Sequence, residues 1–396
     1  MNRPRRGRLT LLALLALGGA VGCEINVNNP AGFDFTGRDP SSVVTDTLSV
    51  TGADTSWASD FPLHTSDRLF VGRHGGFQGV VLLRFSNLPA GAVVQDARLT
   101  FYRRTANAQD EEPIALELAL APLTVDWDTT WTGSRMGEVT TGAAVASVAV
   151  PYTATADTFG LTLPNALIQA WVDDPTGPAA RRGLALTAPT DATWLLQLDA
   201  GDDYYLYSQR RPRLRLRWVP AGGGSSRISV VYPERDLSVL TVNGTPDPGE
   251  LWVTRGAAWR SLITFDLSGL PAGATINRAV LRLGVRTTDG VALPFAFSAA
   301  LPAGAAPWTL GLSEMLDSAT VSSSITVAEG DSTVSLLVTR ALGADLTSDR
   351  SALGLVVLAY AEGSGIGRVT ILDATAPADR RARLDLVYSV PPGGTP

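Results

Sequence analysis

A short acidic cluster is the part of this sequence whose residue types could bind a metal ion. Asp199, Asp202 and Asp203 surround Gly201, and carboxylate oxygens grouped at a turn suit calcium. Aspartate and glycine also favour a hydrated turn without any metal. Since the spacing falls short of a full calcium-binding loop, a structural calcium and an ordinary turn both stay open.

Three tyrosines follow the acidic cluster and form a candidate carbohydrate site. In a strand, Tyr205 and Tyr207 lie on one face while Tyr204 lies on the other. Sugars bind to aromatic rings flanked by planar hydrogen-bonding groups, and Arg210 supplies such a group close by. The alternative is that two of the tyrosines pack inward and the third lies on an ordinary surface.

The sequence offers little for catalysis. Its two histidines, His64 and His74, stand in a loop-rich stretch without cysteines, at a spacing that matches no zinc site, and we expect both to be exposed. Lysine does not occur, which excludes the G-x-x-x-x-G-K phosphate loop. Carboxylate pairs for glycoside cleavage stay open, because the chain has 38 acidic residues. We predict a non-catalytic protein.

The start of the chain has the features of an export signal. Four arginines precede the apolar run from Leu9 to Leu17. The segment Ala20-Val21-Gly22-Cys23 then resembles a bacterial lipoprotein signal, in which the cysteine is lipidated and becomes the first mature residue. The resemblance implies that residues 1–22 are removed and that Cys23, the only cysteine, carries a lipid anchor. An ordinary cleaved signal and an uncleaved anchor helix are the alternatives, although the run is short for a membrane-spanning helix.

The mature chain is acidic. Removal of the four arginines in residues 1–22, which contain no acidic residue, moves the formal net charge from −6 to −10. Nucleic acid is therefore not an expected partner, because phosphate binding needs clustered positive charge. Arginine rows such as Arg213, Arg215 and Arg217 could offset the charge locally and hold an acidic glycan, whereas a neutral glycan would need no such row.

The chain contains an internal duplication. Residues 69–99 match residues 251–281 at an offset of 182, with eleven identities in thirty-one positions, and both segments contain the sequence LPAGA. The closing segments 210–214 and 380–384 also align, at an offset of 170. A repeat of this length is typical of a duplicated domain rather than of a solenoid.

Breaks in composition divide the chain around the two copies. We expect a signal peptide at 1–22, a flexible tether at 23–43, a first domain at 44–220, a Gly/Ser linker at 221–226, a second domain at 227–390 and a disordered tail at 391–396. We call the two domains the first copy and the second copy.

Within the copies, apolar residues recur at every second position. Leu116, Leu118 and Leu120 alternate with polar or small residues, as is typical of half-buried strands. The pattern predicts an all-β chain with two tandem antiparallel β-sandwiches of the jelly-roll type, about eight strands each. One short helix is expected in each copy, at 163–172 with Thr162 as its cap and as a shorter turn through Leu342 with Thr339 as its cap. Trp171 is expected to close one end of the first sandwich.

These segments resemble the DNRLRE-type domains of bacterial surface proteins, which include carbohydrate-binding modules. The segments that carry the resemblance are Phe265–Gly273, with the sequence FDLSGLPAG, Trp127–Trp131, Leu167–Trp171, Gly183–Leu186 and Arg211–Leu214. The resemblance covers residues 44–219 well and residues 228–389 weakly. It implies a jelly-roll sandwich and, with less force, polysaccharide binding.

Together these features predict a non-catalytic lipoprotein of the cell envelope, on the outer membrane and either periplasmic or surface-exposed. Its partners would be a polysaccharide or other cell-surface polymer and, through the lipid anchor only, the membrane; doubling of the module would add avidity for a repeating polymer. A structural or adhesive spacer is the main alternative, and a polysaccharide-degrading enzyme is the third. A groove lined by aromatic residues would favour polysaccharide binding. Two sandwiches without such a groove would favour the spacer, and two carboxylates facing each other in a cleft would favour the enzyme.

We expect the native protein to carry a lipid on Cys23, because the cysteine follows a basic segment and an apolar run. Mass spectrometry before and after lipoprotein lipase treatment should show a loss of acyl mass near Cys23. A Cys23→Ala variant is the control and should stay unlipidated. An unchanged mass would contradict the lipoprotein prediction.

Overall fold

The computed structural model of the chain describes residues 43–51, 54–58, 62–108, 115–152, 158–201, 210–271, 273–287, 295–302, 322–328, 330–342 and 352–390. This part of the chain holds twenty-two strands and three short α-helices. The strands pair in antiparallel fashion, and their core-facing residues meet in two large apolar clusters. The all-β sandwich fold predicted from the sequence is confirmed.

The first sandwich consists of strands β3 to β13. Their bounds are β3 Arg68–His74, β4 Phe77–Phe85, β5 Ala92–Ala108, β6 Leu116–Pro122, β7 Ala146–Val150, β8 Thr158–Leu163, β9 Leu184–Thr187, β10 Trp194–Asp199, β11 Arg213–Pro220, β12 Arg227–Val231 and β13 Pro233–Val242. One sheet has the order β12-β11-β5-β10-β3, and β8 pairs with β5 beside β10. The other sheet has the order β13-β4-β9-β6-β7.

A tight hairpin between β3 and β4 joins these two sheets. The two strands pair only from Gly72 opposite Gly79 to His74 opposite Phe77. Gly72 has a φ of +114°, and a Cβ atom there would lie 2.4 Å from the backbone oxygen of Trp194. Glycine is therefore required at this position, both for the left-handed backbone and for the close approach of β10.

The second sandwich consists of β1, β2 and the strands β14 to β22. Their bounds are β1 Val43–Ser49, β2 Thr55–Ala58, β14 Glu250–Arg255, β15 Trp259–Asp266, β16 Thr275–Thr287, β17 Phe295–Ala300, β18 Ile325–Val327, β19 Thr333–Leu337, β20 Ala352–Ala359, β21 Gly367–Leu372 and β22 Arg383–Ser389. One sheet has the order β1-β22-β16-β21-β14, with β19 paired to β16, and the other has the order β2-β15-β20-β17-β18. Strand for strand this is the topology of the first sandwich, with β1 and β2 in the places of β12 and β13.

The opening strands of each copy lie in the sandwich of the other copy. β1 pairs with β22 from Val43 opposite Ser389 to Ser49 opposite Arg383, and β2 pairs with β15. In return, β12 pairs with β11 and β13 pairs with β4. The ranges 44–220 and 227–390 are the two copies of the sequence repeat. Each folded sandwich, in contrast, contains strands from both ranges. Residues 221–226, expected as a linker, connect two strands that pair with each other.

The helices lie at the ends of the sandwiches. α1 spans Asn165–Asp173 and α3 spans Thr339–Leu342, close to the expected positions, while α2, Pro178–Arg182, was not predicted from the sequence. Thr162 is not the cap of α1, because its backbone is extended in β8 opposite Arg98, and α1 begins only after Pro164. Trp171 of α1 is 1% exposed and belongs to the core of the first sandwich, as expected.

A third apolar cluster, here called the junction cluster, connects the two sandwiches. It contains side chains from β3, β4, β9, β10, β13 and β14 and from loops, which include Leu63, Phe70, Trp127, Trp131, Leu240, Trp252 and Ile366. Most of these side chains lie on the outer faces of the sheets, opposite the two main cores. The sandwiches therefore share buried apolar surface, which stabilises their contact.

A buried ion pair holds the turn that contains Glu362 and Gly363, at the contact between the two sandwiches. Arg260 donates from Nε and Nη2 to the two carboxylate oxygens of Glu362, at 2.9 and 2.8 Å, and both side chains are less than a tenth exposed. The same turn accepts a hydrogen bond from Ser66 of the first sandwich to the carbonyl of Gly363, at 2.6 Å. The ion pair thus positions a backbone segment that contacts both sandwiches.

We expect Glu362→Leu to lower the free energy of unfolding by about 3–5 kcal/mol, because it leaves the buried guanidinium of Arg260 without its carboxylate. The double variant Arg260→Met with Glu362→Leu should recover most of that loss, since it removes both charges. Urea denaturation of the two variants and the parent measures the difference. Equal destabilisation by the single and double variants would contradict a role for the unpaired charge.

Candidate functional site

Strand β11 presents a row of arginines to the solvent. Arg213, Arg215 and Arg217 alternate with Leu214 and Leu216, which are fully buried in the core of the first sandwich. This is the alternation predicted from the sequence, and it places all three arginines on the outer face of the sheet.

The neighbouring strand β5 adds a fourth arginine. Arg98 is the direct partner of Arg215 in the antiparallel pair, and Asp96 is the partner of Arg217. A Cβ atom at Gly160 of β8 would lie 2.8 Å from Nε of Arg98, so the glycine leaves room for this guanidinium to lie close to the sheet. We call Arg98, Arg213, Arg215 and Arg217 the first arginine face.

The first arginine face has a net positive formal charge. Within the described part of the chain, none of its four arginines forms an ion pair with an acidic residue. Four arginines and Asp96 give the surface a formal charge of +3. Like charges at directly opposite positions on adjacent strands are destabilising, so the pairing of Arg98 with Arg215 is unfavourable to the fold; the Arg98 guanidinium lies over Gly160 of β8, on the side of β5 away from β11.

An aromatic ring lies at one end of the first arginine face. The guanidinium carbons of Arg213 and Arg210 lie 5.2 and 5.8 Å from the ring centroid of Tyr102, which is half-buried. Both distances suit cation–π contacts. The ring and the arginine row together form a surface with planar donors and an aromatic platform.

Exposed apolar side chains border the other side of this face. Ile228, Val230 and Tyr232 on and after the edge strand β12 are 58%, 47% and 40% exposed. Ile228 and Val230 are the partners of Arg217 and Arg215, so the apolar row runs directly beside the arginine row.

The second sandwich has a weaker version of this face. Arg278 and Arg282 of β16 and Arg383 of β22, here called the second arginine face, line an open cavity of about 430 Å³. Asp385 lies among them and pairs with Nε of Arg282 at 2.5 Å, and it accepts a hydrogen bond from Thr47 of β1 at 3.1 Å. The aspartate leaves this surface with a formal charge of +2.

Arg210 is the member of the predicted tyrosine site that the structure describes, since Tyr204, Tyr205 and Tyr207 lie outside the described residues. Arg210 is connected to the first arginine face through Tyr102. Tyr102 and Arg98 were not predicted as site residues. The alternation of β5 indicated that they point outward, but only the pairing of β5 with β11 shows what they face.

Asp199, predicted as a calcium ligand, lies in a buried charge cluster. Its carboxylate is 3.0 Å from Nε of Arg104 and 3.0 Å from Nε of Arg210, and the residue is 1% exposed. Arg68 lies nearby, and its burial lowers the pKa of its guanidinium. The carboxylate of Asp199 is thus paired with two guanidinium groups, those of Arg104 and Arg210. Asp202 and Asp203 lie outside the described residues, so calcium stays a prediction.

Other predicted features are placed as follows. The prediction that His74 is exposed is wrong, because its exposed fraction is 5%. His74 lies on the same face of β3 as Phe70, and the junction cluster covers that face. Trp57 of β2, which is not among the predicted site residues, is buried against Leu262 and Val356. Within the described ranges, no cluster of three His, Cys, Asp or Glu side chains is arranged to hold a metal, and no helix is long and apolar enough to cross a membrane.

Comparisons with known proteins leave the family open. No protein-family model and no curated protein matches the chain. Among solved structures, the N-terminal CBM22-1-CBM22-2 tandem domain of Xyn10C from Paenibacillus barcinonensis aligns at 10% identity over 88% of this chain and 98% of that chain, with a TM-score of 0.14. A score this low carries no argument. The resemblance to DNRLRE-type domains therefore stays a prediction.

We expect Arg215→Gln to stabilise the unliganded protein by roughly 0.5 kcal/mol at low salt, because it removes the repulsion from Arg98. The gain should disappear in about 1 M salt, where exposed charges are screened over a few ångströms. Thermal unfolding at the two salt concentrations measures both effects. Arg340→Gln, an exposed arginine away from the face, is the matched control and should change neither value.

Proposed function

We propose that this chain is a non-catalytic protein of the cell envelope that binds an acidic polysaccharide on its arginine faces. The observation that carries the proposal is the first arginine face, where Arg98 and Arg215 oppose each other without an acidic partner among the described residues. Such a pair is costly to the free fold and favourable to an anion that lies across both strands.

Guanidinium groups suit the anionic groups of polysaccharides. The planar fork of arginine donates two parallel hydrogen bonds to a carboxylate or a sulfate. In a mature chain with a formal charge of −10, a surface of +3 is a local reversal of sign that attracts a polyanion to one place. Tyr102 offers its ring to the apolar face of a sugar next to these donors.

The duplication supplies two such surfaces on one chain. The junction cluster fixes the two sandwiches to each other, so the two faces are held at a constant spacing. A polymer with repeated acidic units can occupy both, and the second contact is then intramolecular. Weak individual sites therefore suffice for firm attachment. A lipid on Cys23 would hold the protein at the outer membrane, which completes its proposed role as an envelope-bound receptor.

A structural spacer is the second candidate function. The shared apolar junction favours it, because a rigid pair of sandwiches provides folded length without a binding site. The two candidates differ in what happens when the arginines are removed. A spacer is indifferent to their loss as long as the fold is kept.

The test is affinity electrophoresis of the chain from residue 23 with Cys23→Ser, in gels that contain an acidic or a neutral polysaccharide. We expect retardation by the acidic polymer, and we expect Arg98→Gln with Arg215→Gln to weaken binding about tenfold or more, because each charge-assisted contact contributes roughly 1.5–3 kcal/mol. Raising the salt concentration should weaken the parent in the same direction.

Arg181→Gln with Arg340→Gln is the matched control, since it removes the same charge from exposed arginines outside the faces. This control should bind like the parent. Equal retardation of both double variants would exclude the first arginine face as the site. No retardation of the parent in any acidic gel would favour the spacer.

A further inference from the structure

The two sandwiches are closed by strands that differ in how firmly they are held. β13 closes the first sandwich and buries Leu237, Val239 and Leu240 almost completely. β12 buries only Val231, and its counterpart β1 has no buried side chain; β2, the counterpart of β13, buries only Trp57. The closing strands of the second sandwich therefore have the smaller apolar contact, and segments of this kind open locally at low free-energy cost.

The connections to the closing strands differ as well. β12 follows β11 through the short turn at 221–226, so the first sandwich is closed by the next strands along the chain. β1 comes from the opposite end of the chain and has no covalent connection to β22 beside it. Closure of the second sandwich is thus an association between two distant segments.

The contacts that hold β1 and β2 are made by groups that every copy of the chain carries. Backbone pairing runs over seven positions from Val43 to Ser49, and Thr47 donates to Asp385. Asp54 accepts the backbone N–H of Thr264 at 3.1 Å, and Trp57 packs on Leu262. The same segment of a second chain would make the same contacts. Exchange of the segment between two chains therefore loses no strand pairing.

We propose that β1 and β2 of one chain can close the second sandwich of another copy, so that two chains form a strand-exchanged dimer. Without its partner, β22 would present an open sheet edge with core-facing Leu384 and Leu386, and an identical strand is the best-matched occupant of such an edge. Because the contacts are equal in both states, protein concentration decides between the closed monomer and the exchanged dimer. The proposal does not depend on the polysaccharide.

Cysteine pairs test this in a background that lacks other cysteines, since Cys23 is the only one and is replaced by serine. Thr45 and Val387 are Cα partners, and paired strand positions lie within disulfide range. One chain carries Thr45→Cys and a second, tagged chain carries Val387→Cys. The two are unfolded together, refolded at increasing concentration and oxidised.

We expect a covalent heterodimer that increases with concentration and exceeds, by about tenfold, the yield from Thr45→Cys mixed with Arg217→Cys. Arg217 is a strand residue that is more exposed than Val387 and does not pair with β1, so it reports random collision. A heterodimer yield equal to this control overturns the proposal.

Two further measurements keep the proposal open to refutation if a single-cysteine chain folds poorly. The double variant Thr45→Cys with Val387→Cys should form a disulfide within one chain at low concentration; its failure would mean that β1 does not pair with β22, which also overturns the proposal. Light scattering of the cysteine-free chain refolded at high concentration should show a dimer. A monomer at every concentration would refute strand exchange.

Discussion

The free edge of β22 is the constraint on which this architecture depends. An exposed edge of extended backbone invites pairing with other chains, and a sheet with apolar inner residues cannot leave it open. In the first sandwich the next strand along the chain covers the equivalent edge of β11. Among the described residues of the second sandwich, the place beside β22 is taken by β1, from the opening part of the chain. The two copies are consequently interlocked rather than merely adjacent.

Divergence between the copies is concentrated on the outer faces. Position 215 of the first copy corresponds to position 385 of the second, and an arginine there has become an aspartate, which pairs with Arg282. The apolar positions on either side stay leucine in both copies and stay buried. Core packing has therefore kept one pattern, while the surface charge differs: the first face has a formal charge of +3, and Asp385 lowers that of the second to +2.

Local patterns predicted what lies along each strand, and distant pairings decided the rest. The alternation of Arg213, Arg215 and Arg217 with leucines predicted the outward row correctly, because side-chain direction follows from a period of two. Arg98 was missed as its counterpart, since no local signal says which strand lies beside β11. The exchange of opening strands was missed for the same reason: a repeat shows which residues are equivalent, and it does not show which copy supplies the partner. The buried state of His74 likewise depends on the junction, which only the folded chain contains.

The position of β1 also sets the order of events during synthesis. Synthesis runs from the N-terminus, so β1 and β2 are made before the other described strands; β2 then waits for β15, and β1 waits for β22. The first sandwich can close once residue 242 has been made, whereas the second needs the chain through β22. Pairing over so long a stretch of chain is intrinsically slow. β1, the first described strand to be made, is thus among the last to pair, and a chain that ends at residue 242 would hold a finished first sandwich beside two unpaired leading strands.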